Sequence, residues 1–419
     1  MKELYYELTI NQWQDIKHLY QKDKFKQIAQ IQTNMENISF CYRCGNKKLI
    51  YFNNQIYCKN CLEFGKVQQG FYFYQKQMQN HEFKYADRLA EITFAKRQLL
   101  AAKFIFSTLM LRTDCLIHAV CGAGKTEITF QAIAYYLQQH KYICFAIPRI
   151  DILYEIYERL AYYFPLTKIC LLNSQEEKIQ HGQLYLMTTN QIIKFKQVFS
   201  LIIVDEIDAF PFEYNLKYDY GVQQAKTPTG SIVYLTSTPS VKFLAKKLPI
   251  YIINRRWHEY KLPVPRFKYF KITTFLKFGN QQFINKLKSY NECPKQVIIF
   301  ISNIKLGYQI KTKLEQNNLK LKFVYANSQT RLADIQAFKA ERFNILLTTT
   351  ILERGVTFKN VDVIVLDAHS KMYNKASLIQ IAGRVGRKKE YQTGKVYFYS
   401  EDFTITMQEA KKEIEKFNI

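Results

Sequence analysis

Short apolar runs of strand length alternate with helical patterns along most of the chain beyond residue 110. Strands that are apolar along their whole length are typical of a parallel sheet covered by helices on both faces. The alternation occurs twice, which predicts two α/β domains in tandem. The runs are Cys115–Val120, Tyr142–Ile147, Leu184–Thr188, Leu201–Asp205 and Ser231–Thr236 in the first half, and Gln296–Ile301, Leu321–Tyr325, Asn344–Thr348, Val361–Leu366 and Lys395–Tyr399 in the second.

The segments around the two alternations differ in composition. The N-terminal segment is rich in Gln, Tyr and Lys, and a helical stretch from Ala86 to Leu109 leads into the first alternation. Pro263 and Pro265 interrupt the pattern between the two halves and predict a linker. The expected organisation is an N-terminal region over 1–85 with a ribbon at about 38–65, a first domain over 86–260, a linker over 261–275, and a second domain over 276–419 that ends in a closing helix.

The charge balance is strongly basic. Lys and Arg number 60 against 35 Asp and Glu, which gives a formal charge of +25. Polyanions are the natural partners of such a chain, although an AT-rich coding sequence also enriches lysine, so the charge alone decides nothing. There is no opening signal-peptide pattern and no run of about 18 apolar residues, so we expect a cytosolic protein.

The nine cysteines divide into two kinds. Cys41 and Cys44 form one CxxC pair, and Cys58 and Cys61 form a second pair after thirteen intervening residues. Each pair can present two thiolates to one ion, so we expect a closed, structural zinc site with a hairpin between the pairs. Four ordinary thiols are the alternative. The isolated cysteines, expected to be small buried side chains, are Cys115, Cys121, Cys144, Cys170 and Cys293.

The segment Ala119–Thr126 has the pattern of a phosphate loop between a strand and a helix. Gly122 and Gly124, with Ala123 between them, let backbone N–H groups approach phosphate oxygens. Lys125 would contact the β and γ phosphates, and Thr126 would ligate magnesium. A glycine-rich turn without nucleotide is the alternative.

Two further segments supply catalytic candidates. Asp205 follows an apolar strand and suits magnesium, and Glu206 is placed to orient or deprotonate the attacking water. In Gln380–Arg387 we expect Arg384 and Arg387 on one side of a helix start, where they could neutralise charge on the γ phosphate. Gln380 is a further candidate for nucleotide contact. Two solvated arginines are the alternative.

Polar residues at other strand ends suit a phosphodiester backbone. The candidates for contact with DNA are Arg149, Thr188, Thr189 and Thr349, although threonines at such places are often turn or cap residues. Thr236–Thr238 could sense the nucleotide, and Gln98 could touch the adenine. His118 is expected to be a packed core histidine.

The order of these segments resembles a superfamily 2 helicase over roughly residues 90 to 400. More narrowly, Asp205–Phe212 combined with an N-terminal four-cysteine ribbon is similar to the ComFA family, the competence ATPases of Gram-positive bacteria. Thr350–Thr357 and Gln380–Arg387 also resemble that family. The resemblance implies two RecA-like parallel-sheet domains in tandem behind a zinc ribbon, with ATP, Mg²⁺ and Zn²⁺ bound.

The same resemblance implies a translocase that drives one strand of transforming DNA into the cytoplasm from the inner face of the membrane. Single-stranded DNA, the channel ComEC, the companion ComFC and the single-strand handler DprA are the implied partners, and a second copy of the chain is another candidate. Basic and aromatic residues of the ribbon suit either a single strand or a partner protein.

Two other functions compete with this one. A replication-restart or repair helicase shares the motor, but in the restart family the cysteines fall between the motor motifs and not ahead of them. A zinc-ribbon binding module on an inactive motor scaffold would have lost Lys125, Asp205, Glu206 or Arg387, and all four are present.

Overall fold

The two predicted alternations form two separate sheets. The computed structural model describes residues 5–7, 25–77, 91–173, 182–209, 212 and 215–418. Its described residues form two compact units, which comprise the described parts of 1–118 with 125–251, and 119–124 with 252–419. No helix in the described part of the chain is both long and apolar enough to cross a bilayer.

The first sheet has seven strands in the order β10-β11-β9-β13-β14-β8-β15. The five neighbouring pairs from β10 across the sheet to β8 are parallel. Its strands are β8 Cys115–Ala119, β9 Ile143–Ile147, β10 Ile169–Leu172, β11 Leu184–Thr188, β13 Phe199–Val204, β14 Lys226–Thr236 and β15 Ile250–Ile253. The helices that accompany it are α1 Lys96–Met110, α2 Phe130–Gln138, α3 Ile150–Tyr163, α4 Leu216–Ala225 and α5 Val241–Leu244.

The second sheet has six strands, all paired in parallel, in the order β16-β21-β20-β17-β19-β18. Its strands are β16 Arg266–Tyr269, β17 Gln296–Phe300, β18 Leu321–Val324, β19 Ile345–Thr348, β20 Val361–Leu366 and β21 Val396–Ser400. The helices are α6 Ile272–Phe278, α7 Gln281–Asn291, α8 Ile304–Glu315, α9 Arg331–Lys339, α10 Lys375–Ala382 and α11 Ile405–Phe417, the predicted closing helix. The expectation of two parallel-sheet α/β domains is confirmed.

The N-terminal strands form small antiparallel sheets. Their bounds are β1 Tyr5–Glu7, β2 Phe25–Ala29, β3 Ile31–Thr33, β4 Ser39–Cys41, β5 Ile50–Phe52, β6 Gln55–Tyr57 and β7 Tyr72–Gln77. β5 and β6 form the predicted hairpin, and Asn53 and Asn54 make its two-residue turn with φ of 46° and 56°. A further sheet has the order β12-β1-β7-β2, in which β12, Phe195–Lys196, comes from the chain between β11 and β13.

The sequence missed three strands of the parallel sheets, β10, β15 and β16. Each of them lies at the edge of its sheet. β10 and β15 are apolar but only four residues long, and so short a run does not by itself distinguish a strand from other apolar segments. β16 needs no continuous apolar run, because an edge strand is covered less than an inner one. Arg266 and Lys268 in β16 are exposed, which explains why the pattern predicted a linker rather than a strand there. The predicted domain boundaries stay predictions.

Candidate nucleotide site and cysteine cluster

The phosphate-loop segment leaves the end of β8 in a tight turn. Gly122 and Gly124 have φ of 83° and 75°, a region that side chains disfavour, and the N–H of Ala123 donates to the oxygen of Val120 at 3.1 Å. Thr126 is buried, and its main-chain oxygen accepts the hydroxyl of Thr129 at 2.6 Å. A 3₁₀ turn, Glu127–Thr129, then leads into α2, in which Phe130, Ile133 and Leu137 are buried. The segment therefore has a strand before it and a helix after it, as a phosphate loop requires.

Asp205 and Glu206 lie at the carboxyl end of β13, as predicted. Asp205 is buried, and its Oδ1 accepts the N–H of Glu206 at 2.8 Å. Burial raises the pKa of Asp205 to about 7, although the positive charge of Lys125 opposes that rise. Glu206 has a φ of 51°, a strained backbone for this residue type. A buried carboxylate near a lysine of the loop suits a divalent cation, which would replace its proton.

Asp208 is a residue whose role the sequence analysis missed. Its two carboxylate oxygens accept the hydroxyls of Thr236 at 2.7 Å and Thr238 at 2.5 Å. Ser237 lies between these two threonines in the chain, and its main-chain oxygen is 3.1 Å from Nε2 of His118. His118 is half-buried and bonded at its ring, so it is a structural histidine. The predicted nucleotide-sensing segment is thus attached to the loop that carries Asp205.

The two candidate arginines lie after a helix and not at its start, which corrects our expectation. Helix α10 ends at Ala382, and Gly383 is its C-cap. Arg384 is buried, with Nε donating to the oxygen of Glu353 at 3.0 Å and Nη1 donating to Val356. Arg387 is half-buried, and its Nε donates to the oxygen of Gly383 at 2.9 Å. Arg387 is therefore more accessible as a residue than Arg384 is.

Arg256 is a second residue that no sequence motif indicated. It is completely buried in the second compact unit and donates to three main-chain oxygens. These are the oxygens of Cys121 at 3.3 Å, Gly383 at 3.3 Å and Gly386 at 2.5 Å. Burial and the nearby charge of Arg387 together lower its pKa to about 10. Arg256 therefore joins the first part of the phosphate-loop segment to the turn that carries both candidate arginines.

Two glutamine candidates are buried and hydrogen-bonded. The side chain of Gln380 accepts the thiol of Cys121 at 2.9 Å, which connects it with the phosphate-loop segment. Gln98 lies in the first turn of α1, and its Oε1 accepts the N–H of Ala95 at 3.0 Å. Gln98 therefore acts as a helix cap in this structure, and its contact with adenine stays a prediction.

The candidate DNA contacts lie at strand ends, as expected. Arg149 lies two residues after β9, and Thr188 is the last residue of β11, the neighbour of β9 in the first sheet. Both side chains are partly exposed, whereas Thr189 is buried at the start of a 3₁₀ helix, Thr189–Lys194. Thr349 follows β19 of the second sheet and is also partly exposed. Their contact with DNA stays a prediction.

The four ribbon cysteines form one buried cluster, as predicted. Their sulfur atoms all lie within 4.8 Å of one another, with Cys41 and Cys61 at 3.7 Å and Cys44 and Cys58 at 3.5 Å. A tetrahedral zinc ion with Zn–S bonds of about 2.3 Å requires sulfur atoms about 3.8 Å apart. The donor set and its spacing therefore fit Zn²⁺. Of the isolated cysteines, Cys115, Cys121, Cys144 and Cys170 are buried as expected, whereas Cys293 is only half-buried.

Comparison with known proteins agrees with this arrangement. A family model described as helicase conserved C-terminal domain matches residues 280–389, and one described as type III restriction enzyme, res subunit, matches residues 74–241. Among solved structures, Dbp5 of S. cerevisiae bound to RNA and ADP BeF3 aligns with a TM-score of 0.53 at 15% identity, over 78% of this chain and 92% of that one. That likeness shows a helicase-like fold of two parallel-sheet domains.

The similar curated proteins are of two kinds. A transcription-repair-coupling factor of Helicobacter pylori is 27% identical over 72% of this chain but only 30% of its own length. Competence protein ComFA of Bacillus subtilis is 30% identical, over 90% of this chain and 85% of that protein. Competence protein ComFA of Streptococcus pneumoniae is 34% identical, over 90% of both chains. The chain is a helicase-type ATPase, and it belongs to the ComFA family of competence proteins.

Proposed function

We propose that this chain hydrolyses ATP and uses the energy to move along single-stranded DNA. The observation that carries the ATPase part is that Asp205 is buried at the carboxyl end of β13, in the compact unit that also holds Lys125 of the phosphate-loop segment. A carboxylate at this position and a loop lysine are the elements needed to hold a magnesium nucleotide.

Each residue of the proposed nucleotide site has its own role in ATP hydrolysis. The loop N–H groups and Lys125 hold the phosphates, while Thr126 and Asp205 hold Mg²⁺, which neutralises phosphate charge. Glu206 accepts a proton from the water that attacks the γ phosphorus, and ADP leaves with the bridging oxygen. Arg387, the more accessible of the two arginines, stabilises charge on the γ phosphate, whereas Arg384 also holds the turn in shape.

Movement along a strand requires that nucleotide state changes the DNA contacts. Asp208 is bonded to Thr236 and Thr238, so a change at the magnesium-holding loop reaches the next strand of the sheet. Arg149 and Thr188 stand at neighbouring strand ends of the same sheet and would hold phosphodiester oxygens. These contacts position a strand without reading its bases, as a translocase requires.

The competence role is proposed from the relatives, which are described as competence proteins. In that role the chain pulls one strand of incoming DNA into the cytoplasm from the inner face of the membrane, beside ComEC, with ComFC and DprA as companions. A repair helicase is the second candidate, since a transcription-repair-coupling factor aligns with 72% of the chain at 27% identity. The position of the ribbon ahead of the motor favours the competence role.

The four cysteines bind one structural zinc ion in this proposal. All four are buried, so water has no route to a ligand position. Replacing Cys41 and Cys44 by Ser should remove the metal and unfold the ribbon. Retention of one zinc per chain in that double variant would overturn the ligand assignment.

The function is tested by ATP hydrolysis with purified protein, alone and with single-stranded DNA, duplex DNA or RNA. We expect strong stimulation by single-stranded DNA and no turnover in Lys125→Ala under any condition. Preferential stimulation by duplex DNA would favour the repair helicase. If no nucleic acid changes the rate of hydrolysis, the chain is still an ATPase, but the proposed movement along DNA is contradicted.

A further inference from the structure

Strand β16 forms an open edge of the second sheet. It pairs with β21 on one side, with Arg266 opposite Tyr397 and Lys268 opposite Tyr399, and the described part of the chain places no strand on its other side. All but one of its four residues are exposed, so the edge is open to solvent. An edge strand presents main-chain N–H and C=O groups that another extended chain can bind. A further strand can therefore be added to the sheet at β16.

Three cations lie on one face of the sheet at this edge. Arg266 and Lys268 are two residues apart in β16, so their side chains point to the same face. Nζ of Lys286, from α7, lies 3.1 Å from the ring centre of Tyr397 and donates to the hydroxyl of Tyr399 at 3.1 Å. These tyrosines are the direct partners of Arg266 and Lys268 in the sheet, which places Lys286 on the same face.

A fourth cation, Lys395, lies two residues before Tyr397. Burial is the main reason why the pKa of Lys286 is lowered to about 8, and the charges of the three other cations act in the same direction. Like charges affect one another in this way only when they lie close together, so the four residues form one cluster. We call this cluster the edge cations, and its members are Arg266, Lys268, Lys286 and Lys395.

The described residues offer the edge cations little negative charge. None of the four side chains forms an ion pair with a carboxylate in the part of the chain that the structure describes. Asp362 opposes the lowering of the pKa of Lys286 but is buried. Its oxygens already bind Nζ of Lys295 at 3.0 Å and the hydroxyl of Tyr290 at 2.8 Å. Cations on an edge strand can also prevent two edges from joining, but Lys286 and Lys395 lie outside β16. The cluster therefore favours a negatively charged partner.

The other face of β16 is aromatic. The ring centre of Phe267 lies 6.0 Å from that of Phe398 and 5.6 Å from that of Phe403, and Tyr269 is 69% exposed. A chain added beside β16 would meet cations on one face of the sheet and aromatic side chains on the other. Alternate acidic and apolar residues satisfy both, because successive side chains of a strand point to opposite faces. A nucleic acid could bind the cations, but it has no amide groups to pair with a strand edge.

We propose that β16 and the edge cations bind an extended acidic segment of a partner protein, which adds a strand to the second sheet. Alternate Asp or Glu residues of that segment pair with the edge cations, and its apolar residues lie beside Tyr269. The inference is independent of the proposed ATP hydrolysis and movement along DNA, because no residue of this surface belongs to the proposed nucleotide or DNA contacts.

Fluorescence anisotropy of labelled peptides with the full-length protein tests the proposal. The probe is a short peptide in which Glu and Val alternate, and in the matched peptide Pro replaces every Val. The second peptide keeps the charge and apolar character but lacks half of the N–H groups and cannot pair as a strand. We expect the first peptide to bind about tenfold more tightly or better. Equal affinities would show attraction by charge alone and would overturn the added strand.

Substitutions at the edge test the role of the cations. The double variant Arg266→Gln with Lys268→Gln should bind the Glu–Val peptide about tenfold more weakly. Lys305→Gln removes an exposed lysine of α8 in the same compact unit and should change the affinity less than about twofold. Denaturant midpoints of both variants show whether the fold is retained. Wild-type affinity in a folded double variant would overturn the proposal.

Two further measurements identify the kind of partner and the mode of binding. Deuterium uptake over 266–269 should become slower with the Glu–Val peptide, whereas uptake over 361–366 should not change. Unchanged uptake over 266–269 would contradict strand pairing. Oligothymidylate should bind the double variant as it binds the wild type. If the double variant instead loses affinity for oligothymidylate, and oligothymidylate displaces the peptide from the wild type, the surface binds nucleic acid and the proposal is wrong.

Discussion

Thr236 donates a hydrogen bond from its hydroxyl to Oδ1 of Asp208 at 2.7 Å. Thr238 donates to the other carboxylate oxygen at 2.5 Å, so one buried carboxylate holds both ends of the turn after β14. Asp208 follows the Asp205–Glu206 pair in the loop after β13, the strand beside β14. The loop that carries Asp205 and Glu206 is therefore bonded to the turn after the next strand by two short hydrogen bonds.

Replacing Asp208 by Ala should uncouple hydrolysis from the nucleic acid. The substitution leaves two hydroxyls without their acceptor, and we expect a loss of about 2 kcal/mol in the free energy of unfolding. Nucleotide affinity should stay near that of the wild type, while the DNA-stimulated rate falls about tenfold or more. Thr238→Ser retains the donor and is the matched control. A normal stimulated rate in Asp208→Ala would show that this link carries no signal.

Substitutions of the two arginines after α10 should affect different properties, stability in the case of Arg384 and turnover in the case of Arg387. Arg384 is buried against main-chain oxygens, so Arg384→Ala should lower the free energy of unfolding by about 3 kcal/mol. Arg387→Ala should cost less than about 1 kcal/mol but reduce turnover roughly 10³-fold. Denaturant titration and steady-state ATP hydrolysis measure the two effects. Near-normal turnover in Arg387→Ala would exclude this arginine from the nucleotide site.

Arg256 should contribute strongly to the stability of the second compact unit. Arg256→Met leaves three main-chain oxygens without their donor, so we expect a loss of about 3 kcal/mol or more in the free energy of unfolding. The KM for ATP should rise as well, because Arg256 bonds to Cys121 of the phosphate-loop segment. Arg266→Met, which removes an exposed arginine of β16, is the control. Equal stability of the two variants would contradict the role given to Arg256.

Lys286 should make stability depend on pH in the alkaline range. Burial lowers its pKa to about 8, against an ordinary value of 10.5. Between these values the unfolded chain holds a proton that the folded chain has lost, so stability rises with pH above about 8. Denaturant midpoints between pH 8 and 9.5 should rise in the wild type relative to Lys286→Met. If the denaturant midpoints of the two proteins change with pH in the same way, the pKa of Lys286 is not lowered in the folded protein.

The inner strands, and the strand and helix on either side of the phosphate-loop segment, could be predicted because a local pattern determines each of them. A strand such as β20 is buried throughout, so its sequence is continuously apolar. A phosphate loop needs glycines, a lysine and a threonine at fixed spacing, and Gly122 to Thr126 supply them. The four cysteines were also found from spacing alone.

What the sequence did not show depends on contacts between distant segments. Arg256 binds oxygens of Gly383 and Gly386, about 130 residues away, and any residue type can offer a main-chain oxygen. The sheet that joins β12 to β1 has no apolar alternation, because Gln, Tyr and Lys occupy its strands. Nothing in the sequence distinguishes Lys196 and Lys217 from solvated lysines. In the structure both are buried, and they donate to the main-chain oxygens of Tyr42 and Asn60 in the ribbon.

The measurement that tests the central claim most directly is displacement of streptavidin from the biotinylated end of a single-stranded oligonucleotide. We expect ATP-dependent displacement from one end only, because a motor moves in one direction. Glu206→Gln, which retains the nucleotide contacts but lacks the proton acceptor, should displace none. Stimulated hydrolysis without displacement from either end would show that the chain is a DNA-dependent ATPase and not a translocase.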